Sequence, residues 1–329
     1  MPDNKSARYA FLRMILPLLV LVGHAAVMYS PSGAIPPEAG SAFLDRLSQY
    51  IYAFHMPLFF VLSGALWGYG LARGKYREKG KFLKNKALRL LPPYLFFGIC
   101  VVAPVMCLLS LTNQGFFGYV LHGILLSENA RHLWYVLALF WVFVFSLAFR
   151  PMLEKWHPAL CLALSLAVLY ASQYLPFSVF QLQAALYYQF FFILGFYLDR
   201  WDETLCAFFR KCPLVPLLAP FALLARFVLP YRTATLLLYN LLGILFFCGL
   251  AALLPCARLR EKPFPRLLEK DSFGLYLFHP MLVYLVFYFG RALSPWILFP
   301  LALLLPFALS IGLTELLRSA KLGILIGEK

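Results

Sequence analysis

The chain has 329 residues, of which 62% are hydrophobic, 18% are aromatic and only 13% are charged. A soluble domain is about a quarter charged and about half apolar, so this composition excludes a disordered chain, a disulfide-stapled mini-protein and an ordinary cytosolic enzyme. It also excludes an outer-membrane barrel, whose strands alternate polar and apolar residues and lack apolar runs of about 20 residues. The class that remains is an all-α, polytopic transmembrane helical bundle.

The apolar runs predict about ten spans, because a helix of about 20 residues crosses the apolar core of a bilayer. The spans are predicted at 9–29, 51–71, 94–112, 133–149, 158–175, 184–198, 213–230, 235–254, 273–289 and 295–316. The stretch 116–126 is too short to span and is predicted to be interfacial or re-entrant. The first run lacks a convincing cleavage site, so we expect a retained span. We expect a single integral-membrane domain over 1–329.

The net charge of +15 comes from 29 Lys and Arg against 14 Asp and Glu. Cytoplasmic loops of membrane proteins are enriched in Lys and Arg, which assigns the basic stretch 73–92 to the cytosol. That stretch contains Arg73, Lys75, Arg77, Lys79, Lys81, Lys84, Lys86 and Arg89. Both termini then fall in the cytosol as well, and the cytoplasmic segments hold 23 of the 29 Lys and Arg. The basic residues therefore indicate topology, and we expect no nucleic-acid partner.

The first span contains two ionisable residues, Arg13 and His24, although a charge in hydrocarbon costs about 2.5–3.5 kcal/mol. Eleven residues give about 1100° of helical rotation, so the two side chains share one face, about 16 Å apart along the axis. Arg13 is predicted nearer the cytoplasm and His24 nearer the outer side. They form either a functional pair or, alternatively, a snorkelling arginine and an interfacial histidine bonded to a carbonyl.

Two more histidines are predicted near the depth of His24: His55 at the start of the second span and His132 at the start of the fourth. Histidine titrates near neutral pH and acts as a general base or as a metal ligand. However, no two histidines stand at i,i+4, and the seven cysteines show no metal spacing. The carboxylates predicted on that side all fall in loops: Glu38, Asp45 and Glu128. We therefore expect no metal and no disulfide framework.

Three other motifs have structural interpretations. Ser63 and Gly64 in the second span are small residues that favour close helix packing. Trp134 fits an interfacial aromatic belt beside Arg131. His279 is predicted nearer the middle of the membrane, where Pro280 is expected to break the helix and free a carbonyl as its partner.

Lys86 and Arg89 stand three residues apart on a short helical stretch ahead of the third span, so they share a face. Such a pair is suited to gripping phosphates. The alternative is a role in topology and in binding anionic lipid headgroups. Arg13 is predicted near the same membrane face. The sequence therefore permits an anion site that Arg13 shares with Lys86 and Arg89.

Five blocks, in this order, make the chain similar to the membrane-bound acyltransferase family 3. They are Arg13-x10-His24, the FHMPLFFVLSG block from Phe54 to Gly64, the K-x-x-R element of Lys86 and Arg89, HLWYVLALF at 132–140 and FGLYLFHP at 273–280. The family carries R-x-x-R at the third position, so this chain keeps the charge but loses one guanidinium fork. The resemblance covers nearly the whole chain and is greatest to short, single-domain sugar O-acetyltransferases.

The resemblance implies about ten helices and transfer of an acyl group, usually acetyl, from cytosolic acyl-CoA to a hydroxyl of a surface sugar, polysaccharide or glycolipid precursor. It implies His24 as the base, Arg13 as a CoA or oxyanion contact, and Lys86 and Arg89 as phosphate ligands. A covalent acyl-His24 intermediate stays open beside direct transfer. The remaining motif residues are expected on the acceptor side (His55, His132, Trp134 and Glu128) or as structural or tunnel-lining residues (Ser63, Gly64, Tyr276 and His279).

Acetyl-CoA or another acyl-CoA is expected as co-substrate, and a bacterial inner membrane as the location, again from the resemblance. The alternative function is a transporter or flippase for a glycolipid or small solute, because buried Arg and His suit a transport pathway equally well on physical grounds. Dependence on acyl-CoA separates the two, since a transporter leaves its cargo chemically unchanged.

Overall fold

The computed structural model describes residues 4–76, 78–176, 179–230 and 232–328; Arg77 of the basic stretch lies outside them. Helices make up 82% of the protein, and no strand occurs in these ranges, which confirms the all-α helical bundle. The helices are α1 (Asn4–Val27), α2 (Ala42–Tyr52), α3 (His55–Ala72), α4 (Lys79–Leu108), α5 (Gly115–Leu125), α6 (Arg131–Ala148), α7 (Arg150–Lys155), α8 (Pro158–Ser172), α9 (Val179–Arg200), α10 (Asp202–Lys211), α11 (Leu214–Phe227), α12 (Thr233–Leu253), α13 (Cys256–Arg260), α14 (Pro263–Gly290) and α15 (Pro295–Ser319).

Among the described residues, eight segments are helices long and apolar enough to cross a membrane. A ninth results if α10 and α11, which bend by 87° at their junction, count as one broken span. The predicted span 213–230 corresponds to α11 alone, whereas α10 lies in the stretch 199–212 that separates two predicted spans. Pro213 stands two residues after the end of α10 and lacks the N–H that would continue the helical hydrogen bonding, which accounts for the bend. The predicted span 158–175 is only a 15-residue helix, α8.

The outer surface of the bundle is apolar. Large side chains are exposed along α8, α11 and α15, including Leu160, Leu164, Val168, Leu214, Leu218, Phe221, Trp296, Ile297, Leu301 and Leu304. An apolar surface of this extent is stable against lipid tails and not against water. The protein is an integral membrane protein.

Two helices are longer than the apolar runs that predicted them. α4 begins at Lys79 and passes through Pro92 and Pro93, so Lys86 and Arg89 lie in the third spanning helix itself and not ahead of it. α14 begins at Pro263, ten residues before the predicted span, and continues through Pro280 without a break. Membrane helices tolerate internal proline because neighbouring groups satisfy the freed backbone carbonyl.

The closest helix approach in the core joins α3 to α9. A Cβ on Gly64 would come within 1.9 Å of the Phe192 carbonyl oxygen, and a Cβ on Gly195 within 1.9 Å of the Val61 oxygen. At either position a Cβ atom would overlap the backbone of the opposite helix. Both positions therefore require glycine at this helix separation. Small residues of this kind are what allow membrane helices to pack closely. Gly64 therefore has a packing role.

Replacing Gly64 by Ala should force α3 and α9 apart and lower the free energy of unfolding by about 3 kcal/mol or more. Thermal unfolding of the detergent-solubilised protein, followed by size-exclusion chromatography, measures this. Gly312→Ala in α15 is the matched control, because its Cβ would meet nothing within 4 Å. Equal melting temperatures for the two variants would contradict the packing argument.

Candidate active site

Helix α1 carries Arg13 and His24 on the side that faces α14. Arg13 Nη1 lies 3.6 Å from Glu269 Oε1, and the His24 ring centroid lies 5.3 Å from that of His279. Both contacts follow the same order along the two helices, so α1 and α14 run in parallel. α1 is one helix with Pro17 inside it, so the two side chains are about 16 Å apart along its axis. The spacing in the sequence predicts this shared face.

His24 lines a cavity of about 410 Å³, here called the histidine cavity. Five of the predicted site residues line it: His24, His55, His132, Trp134 and Tyr276. Its other main polar or aromatic lining residues are Ser32, Tyr52, Arg131, Tyr188 and Tyr284. His279 contacts His24 and is fully buried. The fold thus gathers four histidines from α1, α3, α6 and α14.

Three of these histidines each donate one ring N–H to a backbone carbonyl. His55 Nδ1 bonds to the Ile51 oxygen at 3.0 Å, His132 Nε2 to the Leu277 oxygen at 3.0 Å, and His279 Nδ1 to the Leu275 oxygen at 2.6 Å. A neutral imidazole has one donor and one acceptor nitrogen, so the second nitrogen of each ring is an acceptor. Within the described parts of the chain, His132 Nδ1 and His279 Nε2 are buried without a hydrogen-bond partner.

His24 differs from the other three. Its Nδ1 lies 3.4 Å from Tyr52 Oη, a long contact, and no backbone carbonyl binds its ring within the ranges described. The Tyr52 ring in turn lies 4.7 Å from the His55 ring. Because its nitrogens are not committed to the backbone, His24 is the histidine best placed to exchange a proton with a molecule in the cavity.

Tyr276 and His132 fasten α14 to the start of α6. The Tyr276 hydroxyl donates to the His132 carbonyl oxygen, while His132 Nε2 donates to the Leu277 oxygen. One step further, the Tyr135 hydroxyl lies 3.3 Å from Ser63 Oγ on α3. These hydrogen bonds link α14, α6 and α3 to one another beside the histidine cavity.

Several positions differ from the predictions. His279 lies at the level of His24, with ring centroids 5.3 Å apart, and not deeper than His24 as predicted. Its carbonyl partner is Leu275, whereas Pro280 frees the carbonyl of Tyr276, four residues before it. Glu128 is absent from the cavity lining and lies 3.4 Å from His122.

Some cavity residues were missed in the sequence. Arg131, predicted to flank an aromatic belt, lines the cavity from a left-handed backbone position (φ 50°). Tyr52 was also not predicted as a site residue. Its position three residues before His55 was a signal in the sequence that could have identified it. Tyr188 and Tyr284 carry no signal in the sequence, because aromatic residues are common throughout the spans.

The opposite end of α1 lies in a basic region, here called the basic end: Arg13, Lys86, Arg89 and Arg260. Arg260 forms a two-pronged bond to Glu269 (2.8 and 2.9 Å), and Arg13 approaches the same carboxylate. Lys86 Nζ lies 3.9 Å from the Phe143 ring centroid. Arg89 is exposed and within electrostatic range of Arg13 and Lys86. No carboxylate of the described residues pairs with Lys86 or Arg89, so this end has uncompensated positive charge.

A turn at the end of the chain packs on the basic end. Residues Gly323–Ile326 form a 3₁₀ turn that contacts α4, and Gly327 has φ 73° close to the Arg89 carbonyl. Arg318 holds Glu328 through two bonds of 2.9 and 2.6 Å and thereby lowers the pKa of that carboxyl. The turn is therefore clamped beside Arg89.

No group of three or more His, Cys, Asp and Glu side chains is arranged to hold a metal ion in the part of the chain that the structure describes. Three histidines line the cavity and His279 contacts His24 from behind it. His55, His132 and His279 are each bound to a backbone carbonyl.

Comparison with known proteins identifies the family of the chain. The model of the acyltransferase domain of family 3 matches residues 8–315. The chain belongs to this acyltransferase family. The match includes all the lining residues of the histidine cavity and all four residues of the basic end.

A curated relative, Nodulation protein NolL of Mesorhizobium japonicum, is 25% identical over 186 residues, which cover 49% of this chain and 47% of that protein. The chain therefore spans about half the length of the curated relative that it matches. No solved structure matches the chain at a significant level.

Replacing Tyr276 by Phe should remove the bond to the His132 carbonyl and lower the free energy of unfolding by about 1 kcal/mol or more, because a buried acceptor loses its partner. The melting temperature of the purified protein measures this. Tyr288→Phe, on the same helix but 42% exposed, is the control. An unchanged melting temperature for Tyr276→Phe would show that the bond does not fasten α6 to α14.

Proposed function

We propose that this protein is a membrane O-acyltransferase that moves an acyl group, with acetyl as the proposed group, from cytosolic acyl-CoA to a hydroxyl of a cell-surface sugar, polysaccharide or glycolipid precursor. The observation that carries the proposal is His24: it lines a cavity, is bound to no backbone carbonyl of the described residues, and shares a helix with Arg13 at the basic end. Membership of an acyltransferase family supports the reaction class.

In the proposed reaction the acceptor hydroxyl attacks the thioester carbon of acyl-CoA. His24 takes the hydroxyl proton, the C–S bond breaks, and the CoA thiolate leaves and recovers that proton from the imidazolium. A hydroxyl is a poor nucleophile without such a base. His55, His132 and His279 are each bound to a carbonyl, which suits them to shaping the cavity around His24.

Acyl-CoA is polyanionic, so its phosphates require cations at one end of the path. We assign them to Lys86 and Arg89, with Arg13 between these residues and His24. Neither Lys86 nor Arg89 has a carboxylate partner in the described ranges, which leaves their charges available for phosphate. In this assignment the basic end faces the cytosol, the source of acyl-CoA, as the distribution of Lys and Arg indicates. We further propose a bacterial inner membrane as the location.

Changing His24 to Ala or Gln should lower acyl transfer by at least about a hundredfold while leaving the melting temperature close to that of the wild type, since general-base catalysis contributes about that much or more. Release of CoA and transfer of radiolabelled acetyl to host glycolipid are measured together on purified protein. His157→Asn is the control, because His157 is exposed, caps α8 and is replaced by another good cap.

Normal transfer by folded His24→Ala would remove His24 as the base. If the folded wild type consumed no acyl-CoA with any host glycan, the proposed reaction itself would be wrong and a transport function would be favoured.

Replacing Lys86 and Arg89 together by Ala should raise the apparent KM for acyl-CoA by roughly tenfold or more, because charge-assisted bonds to phosphate are lost. The KM for the glycan acceptor should change much less. Steady-state kinetics with each substrate varied in turn measures both constants. Lys81→Ala, exposed on the same helix, is the control. An unchanged KM for acyl-CoA in the double variant would place the phosphate site elsewhere.

A further inference from the structure

A second cavity, of about 300 Å³, lies beside the histidine cavity. It is formed by the end of α1 and the loop that follows, by α2, and by Arg226 of α11. The two cavities share three lining residues: Val27, Ser32 and Tyr52. Tyr52 is the residue whose hydroxyl lies 3.4 Å from His24 Nδ1. A molecule in the second cavity would therefore be next to the proposed base.

The lining of this second cavity is rich in hydroxyl, amide and carboxylate groups. Its polar members are Ser30, Ser32, Asp45, Ser48, Gln49, Tyr52 and Arg226. Asp45 Oδ1 accepts a hydrogen bond from Gln49 Nε2 at 3.2 Å. Asp45 forms no ion pair among the described residues, so its carboxylate keeps free acceptor sites, and Gln49 keeps its amide oxygen.

Two buried serines also point their hydroxyls at neighbouring backbone. Ser48 Oγ donates to the Asp45 carbonyl at 2.7 Å, and Ser30 Oγ donates to the Val27 carbonyl at 2.8 Å. Ser30 Oγ also lies 2.8 Å from Ser32 Oγ. These bonds are local to α2 and to the turn after α1, and they set the orientation of the serine hydroxyls.

This chemistry matches a neutral, polyhydroxylated ligand. A carboxylate accepts hydrogen bonds from hydroxyl groups, an amide both donates and accepts, and a tyrosine presents an apolar ring together with a hydroxyl. A phosphate or an acyl chain fits poorly, because Asp45 repels the first and the polar lining disfavours the second. One cationic residue, Arg226, also lines this cavity, whereas four cationic residues, Arg13, Lys86, Arg89 and Arg260, lie together at the basic end and suit a phosphate better.

We propose that this second cavity binds the sugar ring of the acceptor, with Asp45 and Gln49 holding hydroxyl groups other than the one that is acylated. The inference rests on the proposed function, since it takes His24 as the base. Tyr52 forms the wall between the two cavities and places the bound ring beside His24. Asp45 and Gln49 are binding residues in this proposal and take no part in proton transfer.

The first experiment measures binding without catalysis. Saturation-transfer NMR is recorded on full-length protein in detergent with the methyl glycosides of glucose, galactose and N-acetylglucosamine as probes. The wild type should bind at least one of them, and Asp45→Asn and Gln49→Ala should each weaken that binding about tenfold, as expected for a lost bond to a hydroxyl. Arg46→Gln should bind like the wild type, because Arg46 is exposed and does not line the cavity.

The second experiment measures transfer kinetics for the same variants. Asp45→Asn and Gln49→Ala should raise the acceptor KM about tenfold and leave the KM for acyl-CoA unchanged. Should Asp45→Asn fail to fold, judged by its elution profile, Gln49→Ala still provides the test.

The outcomes separate this inference from the proposed function. Glycoside binding that is lost in both variants supports the sugar cavity even if no acyl transfer is found. Binding and an acceptor KM that match the wild type in both variants would overturn the sugar cavity while acyl transfer stands. A folded wild type that binds no glycoside would also overturn it.

Discussion

The parallel helices α1 and α14 contact each other at both ends of the proposed acyl-transfer path, which runs from the basic end to His24. At one end Arg13 lies beside Glu269, and at the other His24 lies beside His279. Because α1 is a single helix, it sets the separation of these two points at about 16 Å, whatever the loops do. The cavity, the basic end and the proposed direction of acyl transfer all depend on this pairing.

The buried histidines show how the bundle tolerates polar groups at depth. A buried imidazole costs free energy unless its donor finds an acceptor. His55 and His279 each use a carbonyl four residues earlier in the chain, and His132 uses a carbonyl of α14. His24 lacks such a bond among the described residues. The difference between a histidine fixed by the backbone and one facing a cavity is the physical basis for assigning the base.

Much of the fold could be predicted from the sequence, because apolar runs and basic loops report directly on a bilayer. The shared face of Arg13 and His24 followed from helix geometry alone. The start of α14 could not be predicted in this way, since 263–271 is polar. It is helical because Glu269, Lys270 and Asp271 form ion pairs with Arg260, Glu315 and Arg318. The predicted depth of His279 was wrong, since its ring lies beside that of His24.

Other parts of the site depend on contacts between distant segments, which no local pattern reports. Tyr188 of α9 and Tyr284 of α14 are far apart in the sequence and meet only as lining residues of the same cavity. The spacing of Glu269 and His279 was a signal for the pairing of α1 and α14. The two residues are ten positions apart, close to the eleven between Arg13 and His24. The predicted role of Glu128 on the acceptor side is not supported by its position beside His122.

The most direct test of the central claim is an experimental structure of the protein with a non-hydrolysable acyl-CoA analogue. The account predicts phosphates against Lys86 and Arg89 and the thioester position within reach of His24, with room for a hydroxyl about 3–3.5 Å from the reacting carbon. An analogue bound at the opposite end of the bundle, or one whose thioester position lies far from His24, would contradict it.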